Sequence, residues 1–161
     1  MKIKIICVGN IKDKNVLNIF ENYFSKIKHF INVEYIVLKE EKVIDELNNS
    51  LIKICLKNEA KKIINKIESN SFTFITCING KQYNSIDFSN LIKNKINDST
   101  IKSINFIVGS SYGLDNSIYQ INNSIKISFS QLTLPHQLFQ VVIAEQIYRS
   151  LTIINNQKYH K

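Results

Sequence analysis

The chain has 161 residues, of which 44% are hydrophobic and 21% charged, and its formal net charge is +8. A chain of this size buries about 70% of its unfolded surface, so we expect one domain spanning 1–161. No apolar run approaches the roughly 20 residues that cross a bilayer, which excludes a membrane-spanning class. The positive charge favours an anionic partner such as nucleic acid, although lysines on a solvated helix face explain it at least as well.

Cysteines and histidines give no sign of a metal or a disulfide framework. The cysteines are odd in number and lack C-x-x-C spacing, which indicates buried thiols and a reduced, cytoplasmic compartment. No histidine shows ligand spacing to a cysteine or carboxylate, so no metal site is expected. The residues concerned are Cys7, Cys55, Cys77, His29, His136 and His160.

Strand-like runs alternate with helical patterns along the chain. Strands are predicted at 2–9, 32–39, 71–78, 102–108 and 124–129, and helices at 15–30, 44–68, 86–97, 115–123 and 136–155. This alternation predicts an α/β fold, with a mostly parallel sheet and helices on both of its faces. Residues 39–50 could instead form an irregular connection. The runs 71–78 and 104–108 are almost continuously apolar, so both are expected at the centre of the sheet.

Several residues mark where helices begin. Ser85 followed by Asp87 predicts an N-cap with a first-turn acid, and Asp115 offers a second cap. Pro135, the only proline in the chain, is tolerated only in a first helical turn, so the last helix should start between Leu134 and His136. Its apolar first half predicts packing against more than one neighbour, and a second subunit is one candidate.

Glycines fall directly after predicted strands, at positions 9, 80, 109 and 113. In an open α/β sheet these carboxyl ends are where ligands bind. The run Gly109-Ser-Ser-Tyr-Gly113 could bring main-chain groups against a ligand, or it could be a plain turn between a strand and a helix. The G-x-G-x-x-G fingerprint is absent after the first strand, which disfavours a standard dinucleotide site there.

The segment 128–136 is unusually apolar for a surface loop. An adenine or another flat ligand would account for this character, with main-chain groups meeting its polar edge. The alternative is a core-packing connection between the last strand and the last helix.

The C-terminal third carries the polar candidates. His136 could serve as an acid or base, but a helix N-terminus disfavours its cation, so we favour a structural role. Glu145 and Arg149 are spaced to pair on one helix face, and Arg149 is also a candidate for phosphate binding. The terminal run Lys158-Tyr-His-Lys161 suits stacking and phosphate contact, although a frayed end is the default for such a tail.

Four motifs in order resemble those of a known family. They are Val108-Gly-Ser-Ser-Tyr-Gly-Leu114, Leu132-Thr-Leu-Pro-His-Gln137, Ala144-Glu-Gln-Ile-Tyr-Arg149 and Tyr159-His-Lys161. Together with the opening Met1–Gly9 and the turn Ile78-Asn-Gly-Lys81, they resemble the ribosomal large-subunit pseudouridine N3-methyltransferases (RlmH) of the SPOUT, or α/β-knot, class. The similarity covers essentially the whole chain.

The resemblance implies a C-terminal trefoil knot, a homodimer and the cofactor S-adenosylmethionine. The substrate would be a pseudouridine of large-subunit ribosomal RNA, recognised on the assembled ribosome. The implied cofactor-binding residues are Thr76, Gly109, Phe129, Ser130, Gln131, Leu132, Thr133 and Leu134. The implied catalytic residues are Arg149, Tyr159 and His160, with the tail reaching the partner protomer's cofactor site and His160 or a water accepting the proton.

The chain departs from the family pattern at three positions. Ser110 stands where the family usually has a second glycine, Thr76 where leucine is common, and Gln140 where arginine is usual. Ser110 and Gln140 motivate an alternative hypothesis, a non-catalytic RNA-binding protein that kept the knot. Methylation of a different RNA is a further alternative.

Overall fold

The computed structural model describes residues 1–160 as a five-stranded parallel sheet with helices on both faces. The strands are β1 Lys2–Val8, β2 Asn32–Leu38, β3 Ser71–Lys81, β4 Ser103–Val108 and β5 Ser124–Ile127. The helices are α1 Lys14–Lys28, α2 Asn49–Ile64, α3 Ser85–Asn97 and α4 His136–Ile154, and a 3₁₀ turn covers Asn116–Gln120. The α/β prediction is therefore confirmed.

The strands lie in the order β2-β1-β4-β3-β5, and each pairing between neighbours is parallel. Both β3 and β4 are interior strands, as their apolar sequences predict. All five strands run in the same direction, so their carboxyl ends lie at one edge of the sheet. Ligands bind at this edge in open α/β sheets.

Two cores sandwich the sheet because strand side chains alternate between its faces. On one face, Ile5 and Phe106 pack with residues of α1, α3 and α4, whereas on the other face Ile6 and Ile107 pack with α2 and the 3₁₀ turn. Helix α4 lies against both α1 and α3, which explains its apolar character on more than one side. None of the helices within residues 1–160 is long and apolar enough to cross a membrane.

Polar side chains set several element boundaries differently from the sequence prediction. Helix α2 begins only at Asn49, because the Asn48 side chain caps it by accepting the N–H groups of Ser50 and Leu51. The cap of α3 is Asn84, and Ser85 is that helix's first residue. Residues 39–48 thus follow the alternative of an irregular connection, and the prediction that the helix starts at residue 44 was wrong.

The prediction of a helix over 115–123 was wrong, because only a 3₁₀ turn forms in this stretch. Asp115 does cap a turn, by accepting the Ser117 N–H, but only the 3₁₀ segment Asn116–Gln120 forms. Ile121 is extended and Asn123 has a left-handed φ of 55°, so the chain turns directly into β5. The strand β3 is longer than predicted, because after a shift in register its last residue, Lys81, still pairs with Ile127 of β5. The strand β5 is shorter than predicted and ends at Ile127.

Candidate active site

The loop after β4 folds back tightly on itself. A bridge joins Ser110 to Gly113, with the Gly113 N–H donating to the Ser110 carbonyl at 2.9 Å. A Cβ at Gly109 would collide with the Gly113 carbonyl, and Gly113 itself has a φ of +94°. Both positions therefore require glycine, one for close backbone approach and the other for its backbone angle.

The segment 128–135 leaves β5 and crosses the same edge of the sheet. The Ser128 N–H donates to the Lys81 carbonyl at 3.0 Å, which anchors the start of the segment to the end of β3. Ser128 Oγ donates to the Ser130 carbonyl, and Ser130 Oγ accepts the Leu132 N–H, both at 2.9 Å. These local bonds shape a turn that leads into α4 at Pro135.

These two segments and the end of β3 enclose a cavity of about 710 Å³. That volume suits a small organic ligand. Its lining includes every residue assigned above to the cofactor except Gln131, namely Thr76, Gly109, Phe129, Ser130, Leu132, Thr133 and Leu134. The structure thus gathers residues that are up to 58 positions apart in the chain, Thr76 to Leu134, around one space.

Two lining residues also hold the fold. Thr76 Oγ1 donates to the Ile107 carbonyl at 2.7 Å, so its buried hydroxyl already has a partner. The Phe129 ring packs edge-on against Phe88 and Phe139, at 5.7 Å from each ring centroid. The segment 128–136 therefore satisfies both interpretations offered for it, since it lines a cavity and packs on the core.

His136 forms part of the cavity wall at the start of α4. Its Nδ1 lies 3.4 Å from Gln140 Nε2. Its Nε2 is buried and has no hydrogen-bond partner among residues 1–160. This nitrogen is therefore closed off from the cavity, although another part of the residue lines it.

Gln140, one of the departures from the family pattern, is fully buried and ties α4 to the sheet. Its side chain accepts the Tyr35 hydroxyl at 2.5 Å and donates to the Gly9 carbonyl at 3.2 Å. Burial raises the pKa of Tyr35, so this hydroxyl stays protonated and remains a donor. Gln140 therefore serves the packing of α4 and does not face the cavity.

The three residues assigned to catalysis form one cluster on α4 and the tail. Arg149 donates from Nε at 2.9 Å and from Nη2 at 2.6 Å to Glu145 Oε1, which confirms the predicted pairing of these two residues. The Tyr159 hydroxyl donates to the same Glu145 oxygen at 3.1 Å, and its ring lies 4.8 Å from the Arg149 guanidinium carbon. His160 Nδ1 is 3.4 Å from Arg149 Nη1.

This cluster is separate from the cavity of its own chain. None of Arg149, Tyr159 and His160 contributes to the cavity lining, and Tyr159 instead contacts Tyr23 of α1 and Tyr148 of α4. The structure thus places the tail against its own helices through residue 160. Lys161, the last residue of the terminal motif, lies outside the described residues.

Sequence reasoning missed cavity residues on β5 and the 3₁₀ turn. Lys126 and Tyr119 both line the cavity, with the Lys126 ammonium 4.7 Å from the centre of the Tyr119 ring. Cys77, read from sequence only as a buried thiol, also lines it. The alternation of Lys126 with apolar residues in β5 could have indicated a side chain outside the core. The face of the sheet on which that side chain lies depends on the register of the strand, which the sequence does not give.

Comparison with known proteins points to one family. A family model described as "Predicted SPOUT methyltransferase" matches residues 1–160. The chain is 48% identical over its full length, and the full length of the relative, to "Ribosomal RNA large subunit methyltransferase H" of Malacoplasma penetrans. It is 43% identical to the protein of that name in Caldicellulosiruptor bescii, with 99% of each chain covered, and 35% identical to that of Enterococcus faecalis, with 100% of each covered.

A solved structure supports the fold. The structure is described as "a probable methylase family protein" from Haemophilus influenzae Rd KW20 and superposes with a TM-score of 0.51, covering 99% of this chain and 70% of the other at 13% identity. The family model and the full-length relatives agree with the motifs around the cavity. This chain belongs to the SPOUT methyltransferase family.

Proposed function

We propose that this protein transfers a methyl group from S-adenosylmethionine to large-subunit ribosomal RNA. The observation that carries the proposal is the cavity at the carboxyl edge of the sheet, lined by the two segments that hold the family motifs. The full-length relatives named as large-subunit ribosomal RNA methyltransferases supply the substrate class.

The cavity has the features that an adenosyl ligand needs. Glycine at 109 lets the backbone come close, and the side chains of Phe129, Leu132 and Leu134 give apolar surface for a flat base. The lining residues Ser130 and Thr133 offer polar contacts. S-adenosylmethionine, when bound there, would supply an electrophilic methyl group carried on a sulfonium.

The finer substrate is the N3 position of a pseudouridine, modified on the assembled ribosome in the cytoplasm. Transfer to a ring nitrogen requires alignment of that nitrogen with the methyl carbon and loss of its proton. We assign alignment to Arg149 and Tyr159, which hold each other through Glu145, and proton acceptance to His160 or a water that it binds. The net charge of +8 suits an RNA partner.

A homodimer would complete the site. In its own chain the Arg149 cluster does not line the cavity, so a cavity and a catalytic tail meet only if two copies join. We propose that the tail of each protomer serves the cavity of its partner. The trefoil knot belongs to the same proposal, as the topology that brings 109–113 and 128–135 together.

The test uses ribosomes from cells that lack this gene. Purified full-length protein and labelled S-adenosylmethionine should methylate them once per large subunit, and mass spectrometry of the ribosomal RNA should place the methyl group on a pseudouridine N3. A methyl group on uridine, or on another RNA, would contradict the substrate assignment. Micromolar binding of the cofactor in calorimetry would support an enzyme, whereas no binding would favour the non-catalytic RNA binder.

The residues that motivated that non-catalytic alternative have partners in the structure. Gln140 bonds to Tyr35 and Gly9, and Ser110 donates to Glu59. Both substitutions therefore have structural roles here, and neither is evidence that activity has been lost.

A further inference from the structure

Carboxylates meet two successive residues of the loop 109–113. Ser110 Oγ donates to Glu59 Oε2 at 2.9 Å, and the Ser111 N–H approaches Glu40 Oε1 at 3.4 Å. We call Glu40 and Glu59 the carboxylate seat of the loop.

Glu59 is the buried member of this seat. It lies on α2 and is 3% exposed. Both of its oxygens are engaged, since Oε1 accepts the Glu41 N–H at 2.9 Å while Oε2 accepts Ser110. Burial raises the pKa of Glu59, and the neighbouring carboxylates of Glu40 and Glu41 add to that rise. A buried acid in this setting depends on its donors, and one of the two is the Ser110 hydroxyl.

The Ser110 bond matters because it is the buried side-chain bond that ties this loop, otherwise closed by its own bridge, to another element. Glycines at both ends make its backbone permissive, and Ser111 and Tyr112 are exposed. Ser110 is 7% exposed and lines the cavity, so the bond to Glu59 connects the cavity wall to α2 on the other side. Fixing a binding loop before the ligand arrives removes an ordering cost from binding.

We propose that Glu59 is a positioning residue for the cofactor cavity. Through Ser110, it holds the loop 109–113 in the shape that receives the ligand. Glu59 contacts no cavity contents itself, since it is absent from the lining. The identity of the ligand as S-adenosylmethionine rests on the proposed function, whereas the tether itself does not.

Hydrogen exchange tests the tether without any ligand. S110A removes the donor, E59A removes the acceptor, and the double variant removes both. We expect backbone amides of 109–114 to exchange about fivefold to twentyfold faster in each single variant. The double variant should exchange no faster than the faster single variant, because both changes break one bond. The control is S89A, which removes a buried hydroxyl from α3, where Ser89 Oγ donates to the Ile86 carbonyl.

Calorimetric titration with S-adenosylmethionine tests the consequence for binding. The dissociation constant should rise about fivefold to twentyfold in S110A and in E59A, without a multiplied effect in the double variant. Unchanged exchange in S110A would overturn the proposal, and so would multiplied effects in the double variant. If E59A does not fold, S110A alone still tests the proposal. Absence of binding by the wild type would overturn the proposed function, while the exchange result would still decide the tether.

Discussion

At the scale of single residues, the site depends on backbone that only glycine can form. Gly109 is the sharpest case, because a Cβ there would meet the Gly113 carbonyl and the Leu114 side chain. Backbone and side chain would both have to move, which would displace the cavity wall. A glycine-to-alanine change at an exposed turn with open space around the Cβ would disturb the backbone far less.

Gly109→Ala should therefore weaken S-adenosylmethionine binding by at least about tenfold and leave the fold intact. Calorimetry gives the dissociation constant, and circular dichroism gives the melting temperature. S25A is a matched control, since Ser25 lies exposed on α1 and its hydroxyl donates to the Asn22 carbonyl. Wild-type affinity in Gly109→Ala would show that this loop does not shape the binding site.

A second residue prediction concerns acid stability. Hydrogen bonds from Lys2 and Lys4 hold the pKa of Glu68 at about 2, below the value of about 4.3 expected for an unfolded chain. An acid whose pKa is lower in the folded than in the unfolded protein stabilises the fold at pH values above its unfolded-state pKa. This stabilisation is lost as the pH falls through the folded-state pKa. The wild type should thus lose stability between about pH 4.5 and pH 2 more steeply than E68Q.

Urea unfolding at several pH values between 2 and 7 measures this difference. The E21Q variant, which changes a glutamate on an exposed position of α1, should keep the wild-type slope. Equal slopes in wild type and E68Q would mean that the Lys2 and Lys4 contacts do not persist in solution.

At the scale of elements, α4 carries two functions on different sides. Its first turns hold the cavity wall, through His136 and through the bonds of Gln140 to Tyr35 and Gly9. Gln137 adds to this anchoring, since its Oε1 accepts the N–H groups of Lys12 and Asp13 at 2.6 and 2.9 Å. Its later turns hold the tail, because Glu145 accepts both Arg149 and Tyr159.

E145Q should separate these two functions. Loss of the negative charge removes the ion pair with Arg149 and weakens the acceptor that Arg149 and Tyr159 share, so the tail should be held less firmly, and single-turnover methylation of ribosomes should fall by about tenfold or more. The dissociation constant for S-adenosylmethionine should stay within about twofold, since Glu145 does not line the cavity. Q157A, at an exposed position in the tail, serves as the control. Methylation at the wild-type rate in both E145Q and H160A would refute the role of the tail.

Much of the element order was readable from periodicity and apolar runs, and the central positions of β3 and β4 followed from their composition. What the sequence could not show was set by local polar bonds. Asn48 delays the start of α2, and Asp115 closes a short 3₁₀ turn where the pattern suggested a longer helix. The cavity residues came from the family motifs, whereas Lys126, Tyr119 and the link between Ser110 and Glu59 depend on contacts across elements.

In the molecule as a whole, the cavity and the Arg149 cluster lie apart within one chain. This separation predicts that each active site combines the cavity of one protomer with the tail of the other. A variant with a damaged cavity and an intact tail should complement a variant with an intact cavity and no tail. Gly109→Ala and a chain lacking residues 158–161 are that pair. At a cofactor concentration near the wild-type dissociation constant, each should have only a small fraction of wild-type activity by itself.

Mixing the two variants at equal concentration, with time for subunits to exchange, should restore about a quarter of wild-type methylation, because half of the dimers would then hold one intact composite site. A wild-type chain mixed with itself under the same conditions is the control. No recovery, together with proof by mass spectrometry that mixed dimers had formed, would place the tail and cavity of one active site in the same chain.

In the proposed site, the loop 109–113 and the segment 128–135 together hold the methyl donor. A crystal structure of the protein grown with excess S-adenosylmethionine would show both segments and the donor at once. We expect the adenosyl group between Gly109 and the run Phe129–Leu134. Density for the donor at another surface, or a crystal in which these two segments lie apart, would rule this site out.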